Sequence, residues 1–195
     1  MAVRLLVVGP PGAGKGTQAA RLCEKLGIPA ISTGAIFRAH AAANDELGKL
    51  AASYTSRGEL VPDEVTNRMV AARLDQPDTA QGFLLDGYPR NVGQVAALDA
   101  MLEARGIVLD AVLELTADDD AVVERLLHRA QIEGRPDDTE YVIRHRIHLY
   151  HETTQPLIDI YRSRGILRRV DGMGSVDEVF AKLTAALDGI AKESA

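Results

Sequence analysis

Nine residues near the start of the chain, Gly9-Pro-Pro-Gly-Ala-Gly-Lys-Gly-Thr17, follow the apolar run Val3, Leu5, Leu6, Val7, Val8. A loop of this composition turns its backbone N–H groups inward and makes a concave seat for phosphate oxygens. Glycines at 9, 12, 14 and 16 allow turns that a Cβ would block. Lys15 supplies a point charge for the outer phosphates. Beyond the loop, Ala19, Leu22, Cys23 and Leu26 fall at i, i+3, i+4 and i+7, so a helix follows and adds the positive end of its dipole. The spacing Gly9-x4-Gly14-Lys15, with a strand before and a helix after, points to a nucleoside triphosphate rather than an incidental turn. One departure stands out: Ser or Thr commonly follows the lysine to hold Mg²⁺, whereas here Gly16 intervenes before Thr17.

A second run reads Gly82-Phe-Leu-Leu-Asp-Gly-Tyr-Pro-Arg90. An aspartate ending a buried strand beside a phosphate loop is where Mg²⁺ is held, directly or through water, so Asp86 is the candidate metal residue. Arg90 is placed for a second anion. Ser32 or Thr33 can cap a helix that carries Arg38; taken alone, that pattern reads as a capped helix with a solvated arginine. Arg125 and Arg129, four apart, share a helix face, with Arg135 and Arg146 downstream. Like charges so placed are either solvated or gathered around an anion. Transfer between two nucleotides would need the second arrangement, because negative charge builds up between donor and acceptor. His145, His148 and His151 recur every third residue, which drifts around a helix and reads as exposed surface rather than a metal site.

These residues need a frame. Short apolar runs at Arg4–Val8, Ala30–Ile31, Gly82–Asp86, Ala111–Leu115 and Leu167–Val170 alternate with helix-length segments. Crossovers of that length pair strands in parallel with helices on both faces, an α/β three-layer architecture. Ligands then bind at the carboxyl ends of the strands, where Gly9, Ser32 and Asp86 all leave the sheet. Thr116 with Asp119, and Ser175 with Glu178, have the spacing of helix starts. The last helix is expected to bury Val176, Val179, Phe180, Leu183, Leu187 and Ile190. Ser32–Val61 and His128–Asp138 fit the sheet poorly and read as flaps over the cleft.

Composition limits the classes. A chain of 195 residues with 46% hydrophobic content supports one compact body with small insertions. A net charge of −6 lacks the basic field of a general nucleic-acid binder. The single cysteine, Cys23, excludes an intrachain disulfide and a cysteine-based zinc site, and its place on the apolar helix face suits a small buried hydrophobe. No signal segment or membrane span is evident, so a cytoplasmic location is expected.

Taken together, the chain resembles the adenylate kinases, within the nucleoside monophosphate kinase family. The resemblance runs over essentially its whole length. It rests on residues 9–17, Ser32-Thr-Gly34 with Arg38, Gly58-Glu-Leu-Val-Pro62, residues 82–90 with Gln94, and Gly134-Arg-Pro-Asp-Asp138 with Arg146. The Lys15-Gly16-Thr17 order matches that family, with Mg²⁺ held largely through water. The resemblance implies a P-loop NTPase-type fold with a five-stranded parallel sheet. It implies a core of residues 1–31, 62–127 and 139–195, a helical AMP-binding flap at 32–61 and a short ATP lid at 128–138. It also implies the reaction MgATP + AMP ⇌ 2 ADP. Carried over by position, Gly12, Ala13, Gly14, Lys15, Gly16, Thr17, Arg129 and Gly174 would hold ATP. Thr33, Arg38, Glu59, Leu60, Val61, Gly87, Tyr88, Pro89, Arg90, Gln94, Arg135 and Arg146 would hold AMP. Lys15, Arg90, Arg125, Arg129, Arg135 and Arg146 would gather the transferring phosphates. The short lid lacks the zinc-holding hairpin of some relatives, so Mg²⁺ without zinc is expected, as is a monomer whose partners are ATP, AMP and ADP, with no nucleic acid or membrane.

Thr33 and Gln94 offer side-chain hydrogen bonds to a base edge, where related uridylate/cytidylate kinases carry alanine and asparagine. Polar groups left unpaired by the wrong base penalise it by up to about 10⁴-fold. AMP is therefore the expected acceptor over CMP or UMP. A nucleotide sensor would not need the arginine set, and an ATPase would need a positioned water. Ala35 stands where the family has an acid, removing a cap or dipole partner worth ~0.5–1 kcal/mol. Tyr88 and Asn91 replace commoner residues with little expected effect.

Overall fold

The computed structural model describes residues 2–133 and 139–190. In chain order it forms β1 (Val3–Val8), α1 (Lys15–Leu26), β2 (Ala30–Ser32), α2 (Thr33–Ala43), α3 (Glu46–Thr55), α4 (Asp63–Leu74), β3 (Gly82–Asp86), α5 (Val92–Glu103), β4 (Ala111–Thr116), α6 (Asp119–Glu133), α7 (Glu140–Leu149), a π-helical turn (Tyr150–Thr154), α8 (Leu157–Ser163), β5 (Leu167–Asp171) and α9 (Val176–Ala186). The strands form one parallel sheet in the order β2-β3-β1-β4-β5.

β1 is apolar at nearly every position because both its faces are covered. Leu5 and Val7 meet Leu84, Leu113 and Leu115 under α1 and α9, while Leu6 and Val8 meet Leu85, Val112, Leu98 and Tyr161 on the other side. Each such side chain removed from water stabilises the fold by roughly 1.5–3 kcal/mol. β1 is central, so its carboxyl end delivers Gly9 to the crevice where the strand order reverses. Cys23 is buried in the same core, where desolvation pushes its thiol up to about 11.

Two smaller clusters stand beside the sheet. Phe37, Ala51 and Val61 close the α2–α3 unit, with Leu47, Tyr54 and Met69 against them. Val122, Val123, Leu126, Ile143 and Ile147 lock α6 to α7. The stretch expected as a lid begins inside α6, which continues through residue 133; residues 134–138 lie outside the described part.

Local starts refine the sequence reading. The capping box at Ser175 and Glu178 is present. The start expected at Thr116 belongs instead to Asp118, whose carboxylate accepts from the N–H groups of Asp120 and Ala121 at 3.1 Å. Thr116 stays in β4, its carbonyl accepting from Gly172 N–H at 2.8 Å. Val176 was expected in the core and is 49% exposed. At the first helical position it precedes the turn that packs, and Val179 and Leu183 carry the burial. Ser32 caps α2 by accepting from Ala35 N–H at 3.4 Å, so the cap survives without the missing acid. The three histidines separate: His145 stacks on Tyr141, and His151 lies past α7 on the π-helical turn beside Asp119.

Candidate functional site

The phosphate loop is built by close packing around glycines. Gly9 has φ +151°, and a Cβ there would stand 2.3 Å from the Leu115 carbonyl oxygen. Gly14 caps α1 in a left-handed conformation and offers no side-chain acceptor, and the first turn of α1 carries no acid. By contrast Ser32, Asp45, Asn91, Thr139 and Ser175 each cap a helix with a side chain. The N–H groups and positive dipole end of α1 are thus left for an anion.

Lys15 donates to the carbonyls of Gly9 and Pro10 at 2.8 Å each. Burial pushes its ammonium down to about 8; Asp86 opposes that, while Arg90 and Arg129 reinforce it. Arg90 is also shifted down, by desolvation first, against the pull of Asp86 and with the push of Arg146. Cations are therefore crowded around one carboxylate, an arrangement that a polyanion relieves.

The segment after β3 holds Arg90 at several points. Its Nε donates to the Gly87 carbonyl at 2.9 Å and its backbone N–H to Gln94 Oε1 at 2.7 Å. Its carbonyl accepts from Thr154 Oγ1 at 2.8 Å. The Gly87 carbonyl also accepts from Thr33 Oγ1 at 3.0 Å, which ties the start of α2 to this turn. Thr33 is thus a side-chain link rather than the cap of α2. Arg146 on α7 donates from Nη2 to the Thr55 carbonyl at 3.1 Å. Arg125 donates to the Gly172 carbonyl at 3.3 Å.

One cavity of about 720 Å³ collects most of the expected residues. Its wall includes Gly12, Gly14, Lys15, Gly16 and Thr17; Thr33, Arg38, Glu59, Leu60 and Val61; and Asp86, Gly87, Arg90, Gln94, Arg125, Arg129 and Arg146. A neighbouring cavity of about 310 Å³ is lined by Ala13, Gly174 and Arg125 together with Gly12, Gly14 and Thr17. Two expected residues stand back from both: Tyr88 and Pro89 are buried, and the Tyr88 hydroxyl donates to Asn67 Oδ1 at 2.6 Å. Arg135 lies outside the described residues. Arg38, read from its own pattern as a solvated arginine, is exposed and yet faces the cavity.

The sequence reading missed several groups. Tyr150, Thr153 and Thr154 line the cavity from the π-helical turn, a distortion that periodicity does not reveal. Asn91 does more than expected: Oδ1 caps α5 by accepting from Gln94 N–H at 2.8 Å, and Nδ2 donates to both oxygens of Asp63. Glu114 is a buried carboxylate on β4, 3.4 Å from Arg169, and burial raises its pKa.

Among the described residues no cluster of three or more His, Cys, Asp or Glu could hold a metal ion. Asp86 nevertheless sits against the loop, its Oδ2 3.8 Å from where a Gly16 Cβ would be. A single carboxylate there fits a metal held mainly by phosphate oxygens and water. Among the described residues no helix is long and apolar enough to cross a membrane. The wall thus carries cations from the loop, from the turn after β3 and from α6 and α7: Lys15, Arg90, Arg125, Arg129 and Arg146.

A family model described as adenylate kinase matches residues 7–166. The chain is 60% identical over 185 residues to a protein named adenylate kinase from Kocuria rhizophila, covering 95% of this chain and 98% of that one. It is 58% identical over 188 residues to one of that name from Nocardioides sp., covering 96% and 98%. A third relative of that name, from Thermobifida fusca, is 52% identical over 185 residues, covering 95% and 98%.

Proposed function

This chain belongs to the adenylate kinase family, and from that premise we propose how its residues transfer a phosphoryl group reversibly from MgATP to AMP, giving two ADP. ATP sits on Gly12–Thr17, with Gly174 at its base and Arg129 beside it. AMP lies under 32–61, its phosphate on Arg38 and Arg90 and its base against Thr33 and Gln94, with Glu59, Leu60 and Val61 as the far wall. Arg125, Arg135 and Arg146 gather the phosphates between the two nucleotides.

The observation that carries this reading is the continuous cavity of about 720 Å³, whose wall runs from the phosphate loop past Asp86 and Arg90 to the 32–61 segment. Room for two nucleotides, with fixed cations along the middle, suits transfer better than simple hydrolysis. On binding, Lys15 exchanges the Gly9 and Pro10 carbonyls for phosphate oxygens and stays charged. Arg90 needs no reorganisation, because its backbone and Nε are already held. No side chain acts as nucleophile or general base. Catalysis is alignment and charge stabilisation in a site from which 32–61 and 128–138, closing over AMP and ATP, exclude water.

Asp86 would hold Mg²⁺ there, through water. When bound, that ion neutralises charge on the ATP phosphates. The enzyme works as a cytoplasmic monomer on ATP, AMP and ADP, without zinc.

Coupled detection of ADP tests the reading: ATP plus AMP should give ADP, and ATP alone should not. A mimic joining two adenosines through five phosphoryl groups should compete with both substrates. Competition with neither, or ADP formed without a monophosphate, would overturn it.

A further inference from the structure

Gln94 is 1% exposed and forms part of the cavity wall. A side-chain amide fits such a space either way round, and the two orientations present opposite hydrogen-bonding edges. Here both of its outer contacts are one-way. Oε1 accepts from the Arg90 backbone N–H at 2.7 Å, a group that can only donate. Nε2 donates to Asp63 Oδ1 at 2.7 Å, and an ionised carboxylate can only accept. Turning the amide over would set N–H against N–H and oxygen against oxygen.

Asp63 is itself fixed. Asn91 Nδ2 donates to its two oxygens at 2.9 and 3.1 Å. Asn91 is held in turn by accepting from Gln94 N–H at 2.8 Å. Gln94, Asp63 and Asn91 therefore close a ring of hydrogen bonds at the meeting of α4 and α5. Asp63 does not line the cavity, and Asn91 does not either.

We infer that Asp63 is a specificity-determining positioning residue: through Nε2 it locks the Gln94 amide in one orientation and so selects a 6-aminopurine over a 6-oxopurine in the acceptor site. The inference rests on the reading that the acceptor base meets Gln94. With both outer contacts made, the amide keeps one N–H and one oxygen lone pair for a ligand. An aminopurine edge offers an acceptor ring nitrogen beside an amino donor, matching that pair. An oxopurine edge reverses the order, with a ring N–H beside a carbonyl oxygen. Once the phosphate and ribose fix where the base lies, a locked amide meets the reversed edge with like against like. An unlocked amide turns to follow either edge. Asp63 thus discriminates through another side chain, without touching the base.

The test uses the full chain with saturating MgATP, comparing AMP with inosine monophosphate as acceptors. Wild type, Asp63→Asn and Gln94→Leu are measured, with the KM for ATP as internal reference and thermal melting as the check on folding. Asp63→Asn makes one of the two one-way contacts two-way, since an asparagine amide can turn either its oxygen or its N–H toward the Gln94 amide. It should lower the ratio of kcat/KM for AMP over inosine monophosphate by about tenfold, the value of one mismatched hydrogen bond. The KM for ATP should not follow. Gln94→Leu should lower the ratio at least as far. A lowered ratio in Gln94→Leu with an unchanged ratio in Asp63→Asn overturns the inference and leaves the base contact standing. So does an equal loss on both acceptors in Asp63→Asn, which is what a merely structural role gives. An unchanged ratio in Gln94→Leu removes the base contact and the inference with it. Should Asp63→Asn fail to fold, Asn91→Thr serves: its hydroxyl keeps the α5 cap while Asp63 loses the amide that donates to both its oxygens. The ratio should then fall about threefold, and an unchanged ratio would count against the inference.

Discussion

Arg146 on α7 donates from Nη2 to the backbone carbonyl of Thr55, the last residue of α3, at 3.1 Å. A cation therefore sits on the carbonyl end of a helix in the 32–61 segment, where the negative dipole end favours it. A Cβ at Gly58 would stand 3.2 Å from both Arg146 Cγ and Val142, so the two parts also touch directly. One guanidinium thus joins the 32–61 segment to the cations along the cavity.

Arg146→Ala should therefore lower kcat and raise the KM for AMP together. Loss of one preorganised donor at developing charge costs about 10²–10³ in kcat. Arg146→Lys should recover little, because an ammonium lacks the planar fork. Initial rates against AMP decide it; a kcat within threefold of wild type would remove Arg146 from the transferring phosphates.

Lys15 sets a pH dependence. Its ammonium is held down to about 8 in the free site, so the charged form dominates below that pH and is lost as pH rises through it. Nucleotide phosphates favour the charged form and raise the value again. The ratio kcat/KM for ATP should fall about tenfold per unit above roughly pH 8, while kcat stays level further up. Lys15→Arg should abolish the inflection, since guanidinium does not titrate there. A profile flat to pH 9.5 would contradict this.

Two loop glycines should behave differently. Gly9→Ala drives a Cβ to 2.3 Å from the Leu115 carbonyl oxygen, a rigid backbone atom. It should cost more than about 3 kcal/mol and abolish soluble expression or folding. Around Gly14 nothing lies within 4 Å, so Gly14→Ala carries mainly the left-handed backbone penalty of about 1–2 kcal/mol. Chemical denaturation of the two variants separates these costs; equal losses would mean that space is not the cause.

Asn91→Ala removes the α5 cap and the amide that donates to both oxygens of Asp63. Loss of the cap costs about 1 kcal/mol, or roughly 2–4 °C in Tm at this chain length. Asn91→Thr keeps a cap oxygen and should recover most of that. Differential scanning calorimetry on both variants reads the difference, and a Tm for Asn91→Ala equal to wild type would refute the capping role.

The phosphate loop, the five strands and their parallel pairing were legible in the chain because their signals are local. A glycine spacing, a continuous apolar run or a box such as Ser175 with Glu178 is complete within about ten residues. The places of Asp86, at a strand end, and Arg90, in the turn after it, were legible for the same reason. The start of α6 was misread by two residues because Thr116 and Asp118 both carry capping chemistry. What separates them is the ladder to β5, which keeps Thr116 in its strand.

Residue order alone pointed to a phosphate seat and to a set of arginines suited to anions, and it carried the α/β sheet that holds them. Folding decided which of those arginines share a wall, that Thr33 bonds the Gly87 carbonyl instead of capping a helix, and that Asp63 and Asn91 hold Gln94. The hydrogen bonds among these join residues as far as 54 apart. They follow from how helices pack over a twisted sheet, and no local propensity encodes that geometry.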